Sequence, residues 1–315
     1  MSAAERGERV TSTVSSWRLR TIQRWRGPRS GEERLLPYLL ILPGLAFYTL
    51  FVIGPIIGTA ALSFFRWDGL TTPVWVGLNN FVNVLRDPDT FDAFRVALVF
   101  LAFNCLLPVG IGLLLVAAMT RVRVRGMSAF RLVFFLPYTL ALAVVAIAWR
   151  WLYALDGTVN EVLRWVFGAG FARPFLGDFT LALPALGIVG VWVTFGFVLV
   201  MLLAGAQHIP RDLYDQARVD GAGPVSEFFA VTLPGLRYEL AVSLTMTLIF
   251  SLRMFDLPLM TTQGGPGYAT TTPSLMMYRD VFTNGQVGIG AAIAVLLTLV
   301  IFVGVGTVNR LMGRE

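Results

Sequence analysis

Tyr214-Asp215-Gln216-Ala217-Arg218-Val219-Asp220-Gly221-Ala222 opens a polar island that runs to Leu236, with Phe228 and Thr232-Leu233-Pro234 in its second half and long apolar runs on both sides. Its local signals are those of two short helices joined at an elbow. Pro210 stands where the amide of a first helical residue is unpaired anyway. Asp212 and Asp215 fall in the first turns, where the helix dipole favours negative charge. Leu213, Ala217 and Asp220 share one face at spacings of four and three. Gly221 stands where a helix C-terminus takes glycine, and Pro224 opens the second helix. Phe228 and Phe229 are apolar knobs, and Leu233-Pro234 closes the segment. The expected form is helix, glycine elbow, helix, lying flat on one face of a membrane and receiving motion from a docked partner. An interfacial amphipathic hairpin without a partner is the alternative. The acidic residues and the scarcity of basic ones count against it.

The chain has 315 residues, 56% hydrophobic and 14% charged, with a mean hydropathy of +0.70. A soluble domain of this size needs more charged surface, so lipid is the expected environment. One cysteine, Cys105, and one histidine, His208, exclude a disulfide framework and a zinc cluster. The pI near 10.0 is the one feature compatible with nucleic acid. Its arginines, however, gather in an N-terminal arm and short loops, as membrane topology requires. No nucleic-acid partner is expected.

Six stretches are apolar enough to cross the hydrocarbon core: 36–63, 96–119, 127–152, 182–207, 238–258 and 287–309. Backbone groups in lipid must be paired internally, and no short alternating strands appear, so the expectation is an all-α membrane protein with six transmembrane helices. With the N-terminus inside, inner segments hold 17 arginines and outer segments 8. The positive-inside rule therefore places both termini and the 208–237 island in the cytoplasm. The domain plan is a basic arm over 1–35, a six-helix membrane domain over 36–309 containing the 209–236 loop, and a tail over 310–315.

The first five spans carry Pro43, Pro55, Pro108, Pro137, Pro184 and Pro258, and kinks are expected there. Two outer loops are long: 64–94, with Trp67-Asp68-Gly69 and Asp87-Pro88-Asp89, and 259–286, with Gly264-Gly265-Pro266-Gly267. Ionisable groups inside a span are costly. Arg253 and Asp256, three apart in the fifth span, are either a mutual ion pair or a lumen-facing pair that bonds a solute. Asn104, Tyr138, Trp192 and Ser251 are further pathway candidates, because ligand sites combine hydrogen-bonding groups with aromatic faces.

The island from Tyr214 to Pro234 resembles the "EAA" signature of binding-protein-dependent ABC importer permeases. The wider match is to the carbohydrate-uptake branch, the maltose and glycerol-3-phosphate type. Arg66-Trp67-Asp68-Gly69, Gly77-Leu78-Asn79-Asn80-Phe81, Phe134-Phe135-Leu136-Pro137-Tyr138, Trp149-Arg150-Trp151-Leu152, and Phe255-Asp256-Leu257 leading to Gly264-Gly265-Pro266-Gly267 extend the similarity from about 36 to 309. Asp215 stands for the family's glutamate and Gln216 for its alanine.

The resemblance implies a bacterial inner-membrane, multi-pass subunit that pairs with a second permease chain. Two cytoplasmic ABC ATPase subunits use ATP and Mg and grip the coupling residues Tyr214, Asp215, Gln216, Ala217, Asp220, Gly221, Ala222, Phe228 and Pro234. An extracellular or periplasmic solute-binding protein delivers a sugar to Trp67, Asp68 and Gly264-Gly265-Pro266-Gly267. This chain itself is expected to bind no cofactor and to hydrolyse nothing: it has no lysine and no phosphate loop ending in Lys-Ser/Thr. The rival reading is a secondary transporter or channel that works without ATPases, which would favour internal repeats and midplane charges that the sequence lacks. A membrane-bound enzyme would need a His, Cys or paired-carboxylate constellation.

Overall fold

The computed structural model describes residues 31–119 and 126–313. Most of the basic arm, at 1–30, and the end of the tail, at 314–315, lie outside the described residues, as do Arg121, Arg123 and Arg125.

The chain divides into two compact units, residues 1–58 and 59–315. In the first, α1 (Gly31–Tyr48) runs through a π turn (Thr49–Ile53) toward α2 (Gly54–Leu62). No residue in the apolar window of Tyr38–Leu62 is buried. The second unit begins with an antiparallel hairpin of β1 (Phe65–Arg66) and β2 (Val74–Trp75), with Phe65 opposite Trp75. Next come α3 (Asn79–Arg86) and α4 (Pro88–Leu101), which passes through a π turn (Ala102–Leu106) into α5 (Leu107–Met119). Then follow α6 (Met127–Thr139), α7 (Leu142–Leu152), α8 (Thr158–Phe167) and α9 (Ala182–His208). The island is α10 (Arg211–Val219), α11 (Pro224–Glu227), a π turn (Phe228–Thr232) and α12 (Leu233–Gly235). The chain closes with α13 (Arg237–Leu252), α14 (Asp256–Thr261), α15 (Pro273–Phe282) and α16 (Val287–Met312).

Five stretches are long and apolar enough to cross a membrane: Tyr38–Leu62, Pro88–Met119, Ala182–His208, Arg237–Thr261 and Val287–Met312. The span expected over 127–152 is instead two helices, bent by 95°. Pro137 sits in the last turn of α6 and supplies no amide to continue it. Leu140 and Ala141 are extended, which resets the chain direction before α7. The Asp87-Pro88-Asp89 stretch read as loop is a helix start. Asp87 accepts from the amides of Asp89 and Thr90 at 3.3 and 3.2 Å, and Pro88 occupies the first turn.

Three prolines are absorbed without a break. Pro55, Pro108 and Pro234 each follow a π turn whose middle residue, Phe51, Asn104 or Ala230, lies four positions earlier. That residue owns the carbonyl a proline ring would strike in an α-helix. Widening one turn moves it aside, and the residue before each proline donates five positions back instead of four.

α9 is the central helix and threads two cores. One core gathers Phe100, Val145, Tyr153, Leu186, Val189, Met254 and Leu257. The other gathers Val109, Val116, Leu199, Leu202, Leu236 and Leu240, together with Ile209 and Tyr214 from the polar island. The island is therefore packed into the bundle.

Candidate functional site

α10 ends as its sequence requires. Gly221 has φ +81°, its amide donates to the Arg218 carbonyl at 3.0 Å, and the Ala222 amide donates to the Ala217 carbonyl at 2.9 Å. This is the paired closure that favours glycine in the left-handed region. The elbow is then braced twice. The Tyr214 hydroxyl is buried and lies 3.2 Å from Thr232 Oγ1. Arg218 Nε donates to Glu227 Oε2 at 3.0 Å, and a second guanidinium nitrogen reaches Asp215 at 3.3 Å. Glu227 is 2% exposed. Its hydrogen bond and charge push the Arg218 pKa above its ordinary value. These braces hold an outward surface on which Asp215, Gln216, Asp220, Gly221 and Pro234 are exposed, while Ala217, Ala222 and Phe228 are half-buried. Val219, 87% exposed, and Phe229, 61% exposed, add apolar contact area. Neither was among the expected coupling residues, nor were Arg218, Glu227 and Thr232.

The two long-loop clusters are held by different contacts. Asp68 Oδ1 accepts from the Leu70 amide, the Thr71 amide and the Thr71 hydroxyl at 2.9, 2.8 and 2.8 Å. These bonds pull its pKa down to about 2. Trp67 Nε1 donates to the Thr71 carbonyl at 2.6 Å, and the Trp67 carbonyl accepts from the Val287 amide at 2.9 Å. Around them a pocket of about 430 Å³ includes Arg66, Asn80, Asn83 and Gln286. The Gly264–Gly267 turn lies elsewhere, with Gly267 against Phe179. Gly264 is buried, Gly265 and Pro266 are half-buried, and Gly267 is exposed. Threonine hydroxyls hold the turn: Thr271 donates to Gly264 and Thr270 to Gly265, at 3.1 and 2.8 Å.

The expected pathway residues also separate. Tyr138 is 39% exposed and stacks on Phe197 at 4.9 Å, and Trp192 is 42% exposed and meets Trp149 edge-on at 5.7 Å. Phe197 and Trp192 both belong to α9. Asn104 is fully buried against Gly190, where a Cβ would overlap its Oδ1. Ser251 is buried too, its hydroxyl donating to the Thr247 carbonyl at 2.6 Å. The mutual ion pair considered for Arg253 and Asp256 does not form among the described residues. Arg253 caps α13 and is exposed, whereas Asp256 begins α14 and is half-buried. Each charge thus sits at the helix end whose dipole suits it.

The sequence profile described as "Binding-protein-dependent transport system inner membrane component" matches residues 108–314. The chain belongs to this family. It is 34% identical over 290 residues to the trehalose/maltose transport system permease protein MalF of Thermococcus litoralis, covering 90% of this chain and 95% of that one. It is 32% identical over 272 residues to the probable ABC transporter permease protein YurN of Bacillus subtilis, covering 85% and 93%. A bacterial alginate ABC transporter, solved in complex with an alginate pentasaccharide-bound periplasmic protein, has a chain that superposes with a TM-score of 0.73 at 23% identity, covering 89% of this chain and 94% of that one. That likeness shows the fold. The binding-protein-dependent permease is a multi-pass inner-membrane transport component, and ATP hydrolysis belongs to a separate subunit.

Proposed function

We propose that this permease imports a sugar or sugar-like solute, with both termini cytoplasmic and the 209–236 loop serving as the coupling element. A second permease chain, two ABC ATPase subunits that use ATP and Mg, and a solute-binding protein complete the transporter. The observation that carries the reading is the braced elbow: an exposed face from Asp215 to Phe229 joined to the bundle core through buried Tyr214. A docked motor that pushes on such a face displaces the core with it, because packed interiors transmit strain. The trehalose/maltose and alginate names of its relatives support a carbohydrate cargo. Trp67, Asp68 and the Gly264–Gly267 turn are the proposed contacts of the solute-binding protein. Cargo is assigned to the exposed aromatics Tyr138 and Trp192. Asn104 reaches α9 from its buried side, Ser251 backs the same bundle, and Arg253 and Asp256 flank the break between α13 and α14.

The test uses cysteines placed at Val219 and Phe229 in the assembled transporter. The sole native cysteine, Cys105, is buried and gives a low background. Both positions should cross-link to the ATPase subunits, and an impermeant thiol reagent should reach Val219→Cys from the cytoplasmic side alone once the ATPases are stripped. Labelling from outside intact cells, or absence of any cross-link, overturns the reading.

A further inference from the structure

We propose that a groove between the end of α2 (Thr59, Leu62), Arg253 at the end of α13, α15 and α16 is a binding site for a single anionic phospholipid. The groove has a volume of about 610 Å³ and lies wholly within the second unit. Its floor is a stripe along α16, Val287, Ala291, Ala294, Leu297 and Ile301, at the three- and four-residue spacing of one helix face. From Val287 to Ile301 that stripe is about 21 Å long at 1.5 Å per residue, the reach of one extended acyl chain. Arg253, Ser274 and Tyr278 also line the groove, with Phe255 and Phe282. Phe255 and Phe282 pack on either side of Tyr278 at 5.4 and 5.2 Å. The groove therefore joins a cation and the hydroxyls of Thr59, Ser274, Tyr278 and Thr298 to a long, largely apolar floor.

Two observations select a phospholipid as occupant. The first is charge. The Arg253 guanidinium is exposed and has no ion-pair partner among the described residues. It stands at the end of α13 opposite Arg237, sixteen residues along, which at 1.5 Å per residue is about 24 Å and so near the headgroup level of a core about 30 Å thick. A phosphate there supplies the missing anion in the fork geometry a guanidinium favours. The second is size. A groove of about 610 Å³ along a floor about 21 Å long suits one hydrocarbon chain, a slimmer object than a helix about 10 Å across. The neighbouring surface of α16, Leu299, Phe302 and Val303, is exposed and apolar, so the groove opens beside lipid-compatible surface.

The test measures phospholipid retained by the complete transporter after purification in mild detergent, using wild type, Arg253→Gln, Arg253→Lys and Ala294→Trp. Wild type should keep about one anionic phospholipid per copy of this chain. Arg253→Gln should lower that several-fold and Arg253→Lys much less, because the charge remains. Ala294→Trp should also expel the lipid, with Arg253 intact, by filling the floor. Readdition of phosphatidylglycerol, but not phosphatidylcholine, should restore occupancy in wild type. Equal retention in all four proteins overturns the proposal. So does cross-linking of Ala294→Cys to the second permease chain, which would give the groove to a protein helix.

Discussion

Arg218 reaches across the Gly221 elbow to Glu227, with Nε 3.0 Å from Oε2, so a nearly buried carboxylate in the second helix is neutralised by the last turn of the first. Removing the arginine takes the forked contact away from a carboxylate that is 2% exposed, and breaking a buried pair from one side is costly. Arg218→Ala should reduce co-purification of the ATPase subunits several-fold while the chain still inserts. Arg218→Lys should recover little of it, since a point charge cannot make the forked contact. The exchanged pair Arg218→Glu with Glu227→Arg should recover more than either single change. Pull-down with a tagged ATPase subunit checks the order.

Gly221 is a purely backbone requirement. Its φ is +81°, and nothing lies within 4 Å of where a Cβ would stand. Gly221→Ala should therefore cost about 1–3 kcal/mol through the left-handed conformation alone, and Gly221→Asn less, because asparagine tolerates that region. Sugar-stimulated ATP hydrolysis in reconstituted transporter should fall in the order Gly, Asn, Ala, Pro. An alanine variant as active as wild type would show that the elbow does not need its closed form.

Thr272 ties the break between α13 and α14 to α15. Its hydroxyl donates to the Met254 carbonyl at 2.6 Å and accepts from the Leu275 amide at 3.3 Å as the cap of α15. The Met254 carbonyl lies in the break, so valine at 272 would strand a buried acceptor and uncap a helix. The expected loss is about 2 kcal/mol, and Thr272→Ser should retain most of the stability. Thermal unfolding of the purified chain in one detergent checks both.

Asp280, on α15, is buried and is bonded by Asn284 Nδ2 at 2.9 Å. Burial pushes its carboxyl above the ordinary value, the charge of Asp87 adds to the shift, and the Asn284 bond opposes it. The folded chain then holds the proton more tightly than the unfolded chain. Stability at this residue is greatest below the ordinary carboxylate range and declines as pH rises through the shifted pKa. Asp280→Asn keeps an acceptor for Asn284 and removes the charge. It should raise the unfolding temperature at neutral pH, and the gain should vanish in acid.

The apolar runs were legible because lipid demands about 20 uncharged residues whatever the tertiary context. The elbow was legible because Gly221 and Pro224 act locally. The bend after Pro137 was not, since Leu140 and Ala141 are ordinary helix residues by type and yet are extended here. The link from Arg218 to Glu227 spans nine positions and exists only once the elbow is folded. Asn104 and Ser251 read as pathway residues because sequence gives polarity without azimuth. Helix rotation turns both inward. Phe229 was legible as an apolar knob, whereas Val219 carried no signal and its exposure marks it only in three dimensions.

The two exposed aromatics on the α9 side should differ in what they do to transport. Tyr138 stacks nearly parallel to Phe197, with 18° between the rings, and also meets Phe135 at 5.6 Å, whereas Trp192 has one edge-on contact, with Trp149 at 68°. A sugar gains most from an open, fixed ring face, and Phe197 fixes Tyr138. Tyr138→Ala should therefore lower the transport rate about 10-fold, on the order of 1.4 kcal/mol, with Tyr138→Phe close to wild type. Trp192→Ala should have a smaller effect. The affinity of the soluble solute-binding protein for its sugar, measured separately, should be unchanged, which assigns the loss to passage through the permease. If Tyr138→Phe falls as far as Tyr138→Ala, the hydroxyl and not the ring face is what the cargo uses, and stacking is the wrong account of this position.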